Sequence, residues 1–169
     1  MVKVRNLKKS EIEFAKSLTD AEEWGNSIED WQRLLRISIP LVAYEGKELL
    51  GVTTAFKYGD LGMIGNVVVS SNSRGKGVGQ ALLKEAMKRL ESCKSVRVHS
   101  KMDVVSFYKN LGFMAEGMST VFRLDADMKS FQPFVIDSDA NIVSAKDYWD
   151  DILAMDKRQF GADRSKLLK

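Results

Sequence analysis

The feature that most constrains this chain is a glycine-rich loop set between a β-branched run and an amphipathic helix. Residues 67–80 read VVVSSNSRGKGVGQ, with glycine at every second position from 75 to 79. Apolar residues then recur at helical spacing, namely Val78, Leu82, Ala86 and Leu90. This pattern predicts a helix with one buried face. Because the first N–H groups of a helix lack intrahelical partners, a glycine loop at that point is suited to bind an anion such as phosphate.

Spacing distinguishes the known kinds of phosphate-binding loop. A Walker-type loop requires Ser or Thr after its lysine, but Gly77 follows Lys76. A dinucleotide-binding fingerprint requires Gly or Ala at its last position, which the two possible registers fill with Gln80 and Leu82. The pattern that fits is Arg-x-x-Gly-x-Gly, formed by Arg74, Gly77 and Gly79. A glycine turn that only caps a helix is the structural alternative.

Two motifs together resemble one family. The Arg-x-x-Gly-x-Gly pattern resembles the coenzyme A pyrophosphate loop of the GNAT family of N-acetyltransferases. The segment 106–113, SFYKNLGF, resembles the aromatic-Tyr-x-x-Leu-Gly-Phe segment that this family carries on the helix after its fifth strand. The motifs occur in the family's order and at its usual separation. The resemblance covers about the first three quarters of the chain.

The resemblance implies an α/β (α+β) GNAT fold, a mixed, mostly antiparallel sheet of six to seven strands flanked by helices. Alternating apolar residues and turn signals place the strands at 2–7, 41–45, 49–58, 63–69, 96–99, 113–116 and 120–124. Capping-box patterns, with Ser10 and Glu13 in one and Ser27 and Asp30 in the other, predict the starts of the first two helices. We divide the chain into a GNAT domain at 1–125 and a linker with a C-terminal helical extension at 126–169.

By resemblance, the co-substrate is acetyl-CoA. The residues expected to bind it are Val67, Val68, Val69, Arg74, Gly75, Lys76, Gly77, Val78, Gly79 and Gln80. Tyr108 matches the family's general acid, and a phenol with an unperturbed pKa of about 10 is protonated at neutral pH. The alternative is a core tyrosine on an apolar helix face.

The chain departs from the family pattern at several positions. Lys101 stands where many members have a cofactor-binding Asn, and Ser71 and Ser73 replace the usual proline and aromatic residue. The common catalytic Glu of the fourth strand is missing near Asn66. Glu45, or Asn66 acting through a water, is a weak candidate for the base, and an amine of low pKa needs none.

The acceptor site is less determined by the sequence. Trp24, Tyr58 and Glu45 are weak candidates for substrate binding, whereas Trp31 lies on an apolar stripe and is interpreted as core. If Trp24 lines a pocket, the neighbouring Glu22 and Glu23 favour an amine that arrives protonated.

The C-terminal segment also has a resemblance. Residues 149–168 are similar to the opening of the second half of two-part GNAT proteins. The segment predicts a helix whose Trp, Ile and Phe side chains should not face water, so it must pack on its own domain or on a partner chain. A homodimer through this helix is one expectation, and the start of a second GNAT-like half is the other.

Composition excludes several classes. The 26 basic and 23 acidic residues are interspersed, so no nucleic-acid-binding face is expected. The single cysteine, Cys93, and single histidine, His99, provide neither a disulfide nor a zinc cluster, and no metal is expected. No signal peptide or membrane span is recognisable, so we expect a cytoplasmic protein. The leading hypothesis is an N-acetyltransferase that acts on a primary amine of a small molecule or a protein. The alternative is a non-catalytic acetyl-CoA sensor.

Overall fold

The structure is a computed structural model that describes residues 1–119 and 143–168. The described strands are β1 (Lys3–Asn6), β2 (Ile39–Glu45), β3 (Glu48–Tyr58), β4 (Leu61–Val69) and β5 (Ser95–Val98). The described α-helices are α1 (Ile12–Ala21), α2 (Ile28–Ile37), α3 (Val78–Arg89), α4 (Val105–Lys109), α5 (Trp149–Phe160) and α6 (Ser165–Leu168).

The described strands form one mixed sheet in the order β1-β2-β3-β4-β5. Neighbouring strands are antiparallel except for β4 and β5, which are parallel. The pairing of β4 with β5 ends at Ile64 opposite Val98, although β4 continues to Val69. The second half of β4 therefore has no partner in β5, which, among the described residues, leaves one side of this strand open next to the glycine loop.

Helices cover both faces of the sheet. In the strands, successive residues point to opposite faces, so Leu41 and Ala43 belong to one core cluster and Val42 to the other. The first cluster lies against α3 and α4 and includes Leu41, Ala43, Ala55, Ile64, Val78, Leu82, Leu83, Ala86, Leu90 and Tyr108. The second lies against α1 and α2 and includes Leu7, Ile12, Ala15, Leu18, Trp31, Val42, Val52 and Val68. The interpretation of Trp31 as core is confirmed, since its side chain is fully buried.

One of the two predicted capping boxes is present. The Ser27 hydroxyl accepts the Asp30 N–H at 3.1 Å, and the Asp30 carboxylate accepts the Ser27 N–H at 2.9 Å, as predicted for α2. The predicted capping box of Ser10 and Glu13 was wrong, because α1 begins at Ile12 after a 3₁₀ turn. There Glu11 accepts the Lys8 N–H at 2.9 Å and is held in place by the Arg5 guanidinium at 2.6 Å.

The predicted strand at 113–116 was wrong, and the described part of the chain has five strands rather than six or seven. Phe113 packs its ring against Tyr108 at 5.9 Å instead, and Glu116 forms an ion pair with Arg97 at 3.0 Å. The predicted strand at 120–124 lies outside the described residues. In the described ranges, no helix has both the length and the apolar character needed to cross a bilayer.

The C-terminal helices contact the rest of the described chain. The Phe160 ring meets the Tyr58 ring edge to face at a centroid distance of 5.9 Å, and the Arg33 guanidinium donates to the Leu167 carbonyl. Tyr148 and Met155 remain exposed. The apolar stripe of α5 thus packs on its own domain in part, and its similarity to a second GNAT-like half stays a prediction.

Gly51 offers a test of the packing between the sheet and α3. A Cβ at Gly51 would lie 2.7 Å from the Val68 carbonyl oxygen and 3.2 Å from a Leu82 methyl group. We expect Gly51→Ala to lower the free energy of unfolding by about 1–3 kcal/mol, because backbone must shift to admit the methyl group. Gly117→Ala is the control, since no atom of the described residues lies within 4 Å of its Cβ position. Equal thermal unfolding midpoints for both variants would contradict this packing.

Candidate active site

The glycine loop leads from β4 through a 3₁₀ turn at Ser71–Ser73 into α3. Gly75 and Gly77 have φ angles of 73° and 78°, in the left-handed region that side chains other than Asn and Asp seldom adopt. Gly77 is the N-cap of α3, and no side chain caps the helix there. The first N–H groups of this helix are therefore available to an anion, and no Cβ at Gly75 or Gly77 occupies the space in front of them.

The two sequence motifs meet at Gly79. A Cβ on this glycine would lie 3.3 Å from Phe107 Cζ, so the missing side chain lets α4 approach the first turn of α3 closely. Phe107 in turn contacts Tyr108, with ring centroids 5.2 Å apart. The predicted anion site and the predicted general acid are thus on neighbouring helices.

A β-bulge interrupts β4 just before the glycine loop. Between the pairs Val52–Val68 and Thr54–Gly65, β3 has one residue and β4 has two, Asn66 and Val67. Asn66 takes up the extra length with a φ of 49°, which Asn tolerates better than most residues. The ladder to β3 provides no partner position for the backbone of these two residues.

Hydroxyl groups from β3 hold the bulge. The Thr54 hydroxyl donates to Asn66 Oδ1 at 3.0 Å, and the Thr53 hydroxyl donates to the Gly65 carbonyl at 2.9 Å. Both threonine side chains are fully buried. The side chains of Val67 and Val69 pack toward α3, whereas Val68 points to the α1 and α2 face.

Tyr108 is 8% exposed and lies against the rings of Phe107 and Phe113. Burial raises the pKa of its phenol above the ordinary value, so the hydroxyl is protonated at neutral pH. The residue lines a cavity of about 890 Å³ beside β5. No residue from Arg74 to Gln80 lines that cavity, so it is distinct from the glycine loop.

A feature that sequence analysis missed is an ion-pair bridge at the open side of β4. The Glu22 carboxylate accepts from Arg74 Nη2 at 2.5 Å and from Lys101 Nζ at 2.9 Å. The two cations, Lys101 foremost, lower the pKa of Glu22. Lys101 Nζ also lies 6.0 Å from the centroid of the Trp24 ring. The three charged residues come from distant parts of the chain, and no motif spacing in the sequence connects them.

The weak acceptor candidates have different surroundings. Trp24 is exposed beside Lys101, and its role in an acceptor pocket stays a prediction. Tyr58 is buried between Phe56 and Phe160, which leaves it little contact with any acceptor. Glu45 lies at the end of β2, where it is exposed and pairs with the N-terminal ammonium group. Its role as a base stays a prediction.

Comparison with known families decides the identity of the fold. The family model described as the acetyltransferase (GNAT) domain matches residues 5–124. The chain belongs to the GNAT acetyltransferase family. The matched range contains the glycine loop, the bulge in β4 and the Tyr108 helix of this GNAT domain.

Solved structures share this GNAT fold at low sequence identity. Glucosamine-6-phosphate N-acetyltransferase from Arabidopsis thaliana has a TM-score of 0.60 at 19% identity, covering 74% of this chain and 99% of that one. A Trypanosoma brucei acetyltransferase has a TM-score of 0.61 at 21% identity, covering 73% and 100%. Rv2747 from Mycobacterium tuberculosis, solved in complex with CoA and NLQ, has a TM-score of 0.60 at 20% identity, covering 70% and 76%. No curated protein sequence matches the chain.

Proposed function

We propose that this GNAT protein is an N-acetyltransferase that transfers an acetyl group from acetyl-CoA directly to a primary amine. The observation that carries the proposal is the contact of Gly79 with Phe107, which places the Tyr108 helix beside the glycine loop. The anion site can bind the pyrophosphate of acetyl-CoA, and the protonated phenol of Tyr108 can donate a proton to the departing sulfur.

The residues of the loop fit the pyrophosphate of coenzyme A. Gly75 and Gly77 leave the N-terminus of α3 accessible, and Arg74 and Lys76 add positive charge beside it. The bulge leaves backbone positions at Asn66 and Val67 without partners in β3. Donors there and at Val69 would hold the pantetheine arm and the thioester carbonyl, whose oxygen gains negative charge during the transfer.

The proposed chemistry needs one proton donor. The amine nitrogen bonds to the acetyl carbon, the carbon–sulfur bond breaks, and Tyr108 gives its proton to the departing sulfur. Burial raises the pKa of Tyr108, so its proton is retained until the thiolate forms. The proton lost by the amine goes to solvent or to a weak base, for which Glu45 and an Asn66-bound water are the candidates.

A second candidate function is a non-catalytic acetyl-CoA sensor. It is favoured by the bulge of β4, where Asn66 rather than an acidic residue stands. The exposed Met155 on α5 and Tyr148 just before this helix are compatible with a contact to a second copy or a regulated partner. For either function, we propose a cytoplasmic location and no nucleic acid or membrane as a partner. The partner of the enzyme would be its amine acceptor.

Release of free CoA from acetyl-CoA distinguishes the two functions. The assay covers polyamines, amino acids, aminoglycosides and lysine peptides, with acetyl-CoA binding measured in parallel. Turnover that depends on one acceptor supports the enzyme and names its substrate class. Tight binding of acetyl-CoA without turnover on any member of the panel favours the sensor. Absence of binding contradicts both.

A further inference from the structure

The Glu22 bridge is built by a well-defined end of α1. Glu22 is the C-cap of this helix, and the backbone then turns through Glu23, whose φ is 58°. Hydrogen bonds from the N–H groups of Glu23 to Asp20 at 2.9 Å and of Trp24 to Thr19 at 3.0 Å fix the turn. As a result, Glu22 reaches the glycine loop, whereas Glu23 has no ion pair among the described residues and is exposed.

Two cations from different parts of the chain converge on this carboxylate. Arg74 is oriented by a second hydrogen bond, from its Nε to the Val69 carbonyl at 3.2 Å. Lys101 comes from the segment that joins β5 to α4, where it precedes a short 3₁₀ turn. Arg74 meets one carboxylate oxygen and Lys101 the other. Arg74 and Lys101 thus form an anion site, and the anion bound there is the protein's own Glu22 carboxylate.

A phosphate group suits the same pair of cations. Phosphate oxygens accept charge-assisted hydrogen bonds from guanidinium and ammonium groups as a carboxylate does, and they carry more charge. Arg74 directly precedes the glycines that open α3, so the anion site lies next to the exposed helix N-terminus. A pyrophosphate at that N-terminus would lie beside Arg74, and the shared Glu22 carboxylate places Lys101 next to Arg74.

We propose that Arg74 and Lys101 form a phosphate clamp for coenzyme A and that Glu22 is an internal competitor for the clamp. This inference rests on the proposed function, and it adds Lys101 as a cofactor-binding residue. Phosphate displaces the Glu22 carboxylate from both cations. Glu22 therefore weakens coenzyme A binding and favours release of the product.

The competition is modest in size. Side-chain exposure is 56% for Arg74, 57% for Lys101 and 20% for Glu22, so both ion pairs are partly screened by water. Exposed pairs contribute little individually, and their removal should alter coenzyme A affinity by about three- to tenfold. The effect should shrink in high salt, because the attraction between exposed charges is screened.

The test is calorimetric titration of the full-length protein with CoA, comparing Glu22→Gln with the matched control Glu23→Gln. We expect Glu22→Gln to bind CoA about three- to tenfold more tightly than wild type and Glu23→Gln to bind as wild type. Lys101→Gln should weaken CoA binding. Adding Glu22→Gln to Lys101→Gln should increase CoA affinity by a smaller factor than adding Glu22→Gln to wild type. Pantetheine, which carries no phosphate, should bind with the same affinity to wild type and Glu22→Gln.

The outcomes that overturn the clamp are specific. If Glu22→Gln binds CoA no more tightly than Glu23→Gln, Glu22 does not compete. If it binds more weakly, Glu22 orients the two cations for the ligand instead. If Glu22→Gln also binds pantetheine more tightly by the same factor, the gain in affinity does not come from the phosphate groups. None of these titrations requires turnover. If the protein binds CoA but transfers no acetyl group, the proposed enzyme activity is contradicted, and the titrations still test the clamp.

Discussion

Gly77→Glu should abolish coenzyme A binding, with a loss in affinity of at least about a hundredfold. Gly77 has a φ of 78° and is the N-cap of α3. A glutamate there adds strain and fills the space in front of the free N–H groups. Its carboxylate also occupies the anion site and repels the pyrophosphate. Calorimetric titration with CoA measures the loss directly.

Two controls separate charge from strain. Gly161→Glu introduces the same side chain at a φ of 80°, also at a helix end and with nothing within 4 Å of the Cβ position. It should leave CoA affinity unchanged. Gly77→Ala adds strain without charge, so its loss should be intermediate. If Gly161→Glu loses binding equally, or Gly77→Glu keeps it, the glycine loop is not the phosphate site.

Tyr108→Phe should lower the rate of acetyl transfer by about 10²- to 10⁴-fold while leaving CoA affinity nearly unchanged. The substitution removes the proton donor but keeps the ring that packs between Phe107 and Phe113. Because burial raises the Tyr108 pKa above its ordinary value of 10, the donor stays protonated as pH rises to about 10. Wild-type kcat should fall only above that pH, and the variant should lack this alkaline decline.

Tyr44→Phe is the control for loss of a phenol hydroxyl. Tyr44 lies on β2 under the Arg5 guanidinium, away from α4, and its replacement should leave kcat unchanged. A fall in CoA affinity that matches the fall in kcat would mean that Tyr108 supports the fold rather than the reaction. A wild-type kcat in the Tyr108→Phe variant would show that Tyr108 is not the proton donor.

The parts of the site that the sequence predicts are those formed by local segments. A glycine loop and its helix are contiguous, so spacing alone identified Gly77 as lying at the start of α3. The capping box of Ser27 and Asp30 spans a single turn and was predicted for the same reason. The bridge of Glu22 to Arg74 and Lys101 depends on the sheet, which brings the end of α1 to the ends of β4 and β5. The spacing of residues within one segment does not predict such a long-range contact.

The errors have a similar origin. Phe113 follows Gly112 in a pattern that suits a strand, but it lies outside the described strands and its ring packs against Tyr108. Before α1, the carboxylate of Glu11 rather than that of Glu13 accepts a backbone N–H, because Arg5 on β1 holds Glu11 at the preceding 3₁₀ turn. In both cases a tertiary contact overrides the local pattern.

The measurement that tests direct transfer most sharply is intact-protein and acceptor mass spectrometry after mixing with isotope-labelled acetyl-CoA. Cys93, the single cysteine, hydrogen-bonds to the Gly59 carbonyl at 3.8 Å, at the far end of β4 from the glycine loop. We therefore expect no labelled acetyl group on the protein when acceptor is absent, and one labelled acetyl group on the amine when it is present. An acetyl group that forms on the protein first and then passes to the acceptor would contradict direct attack and the role given to Tyr108.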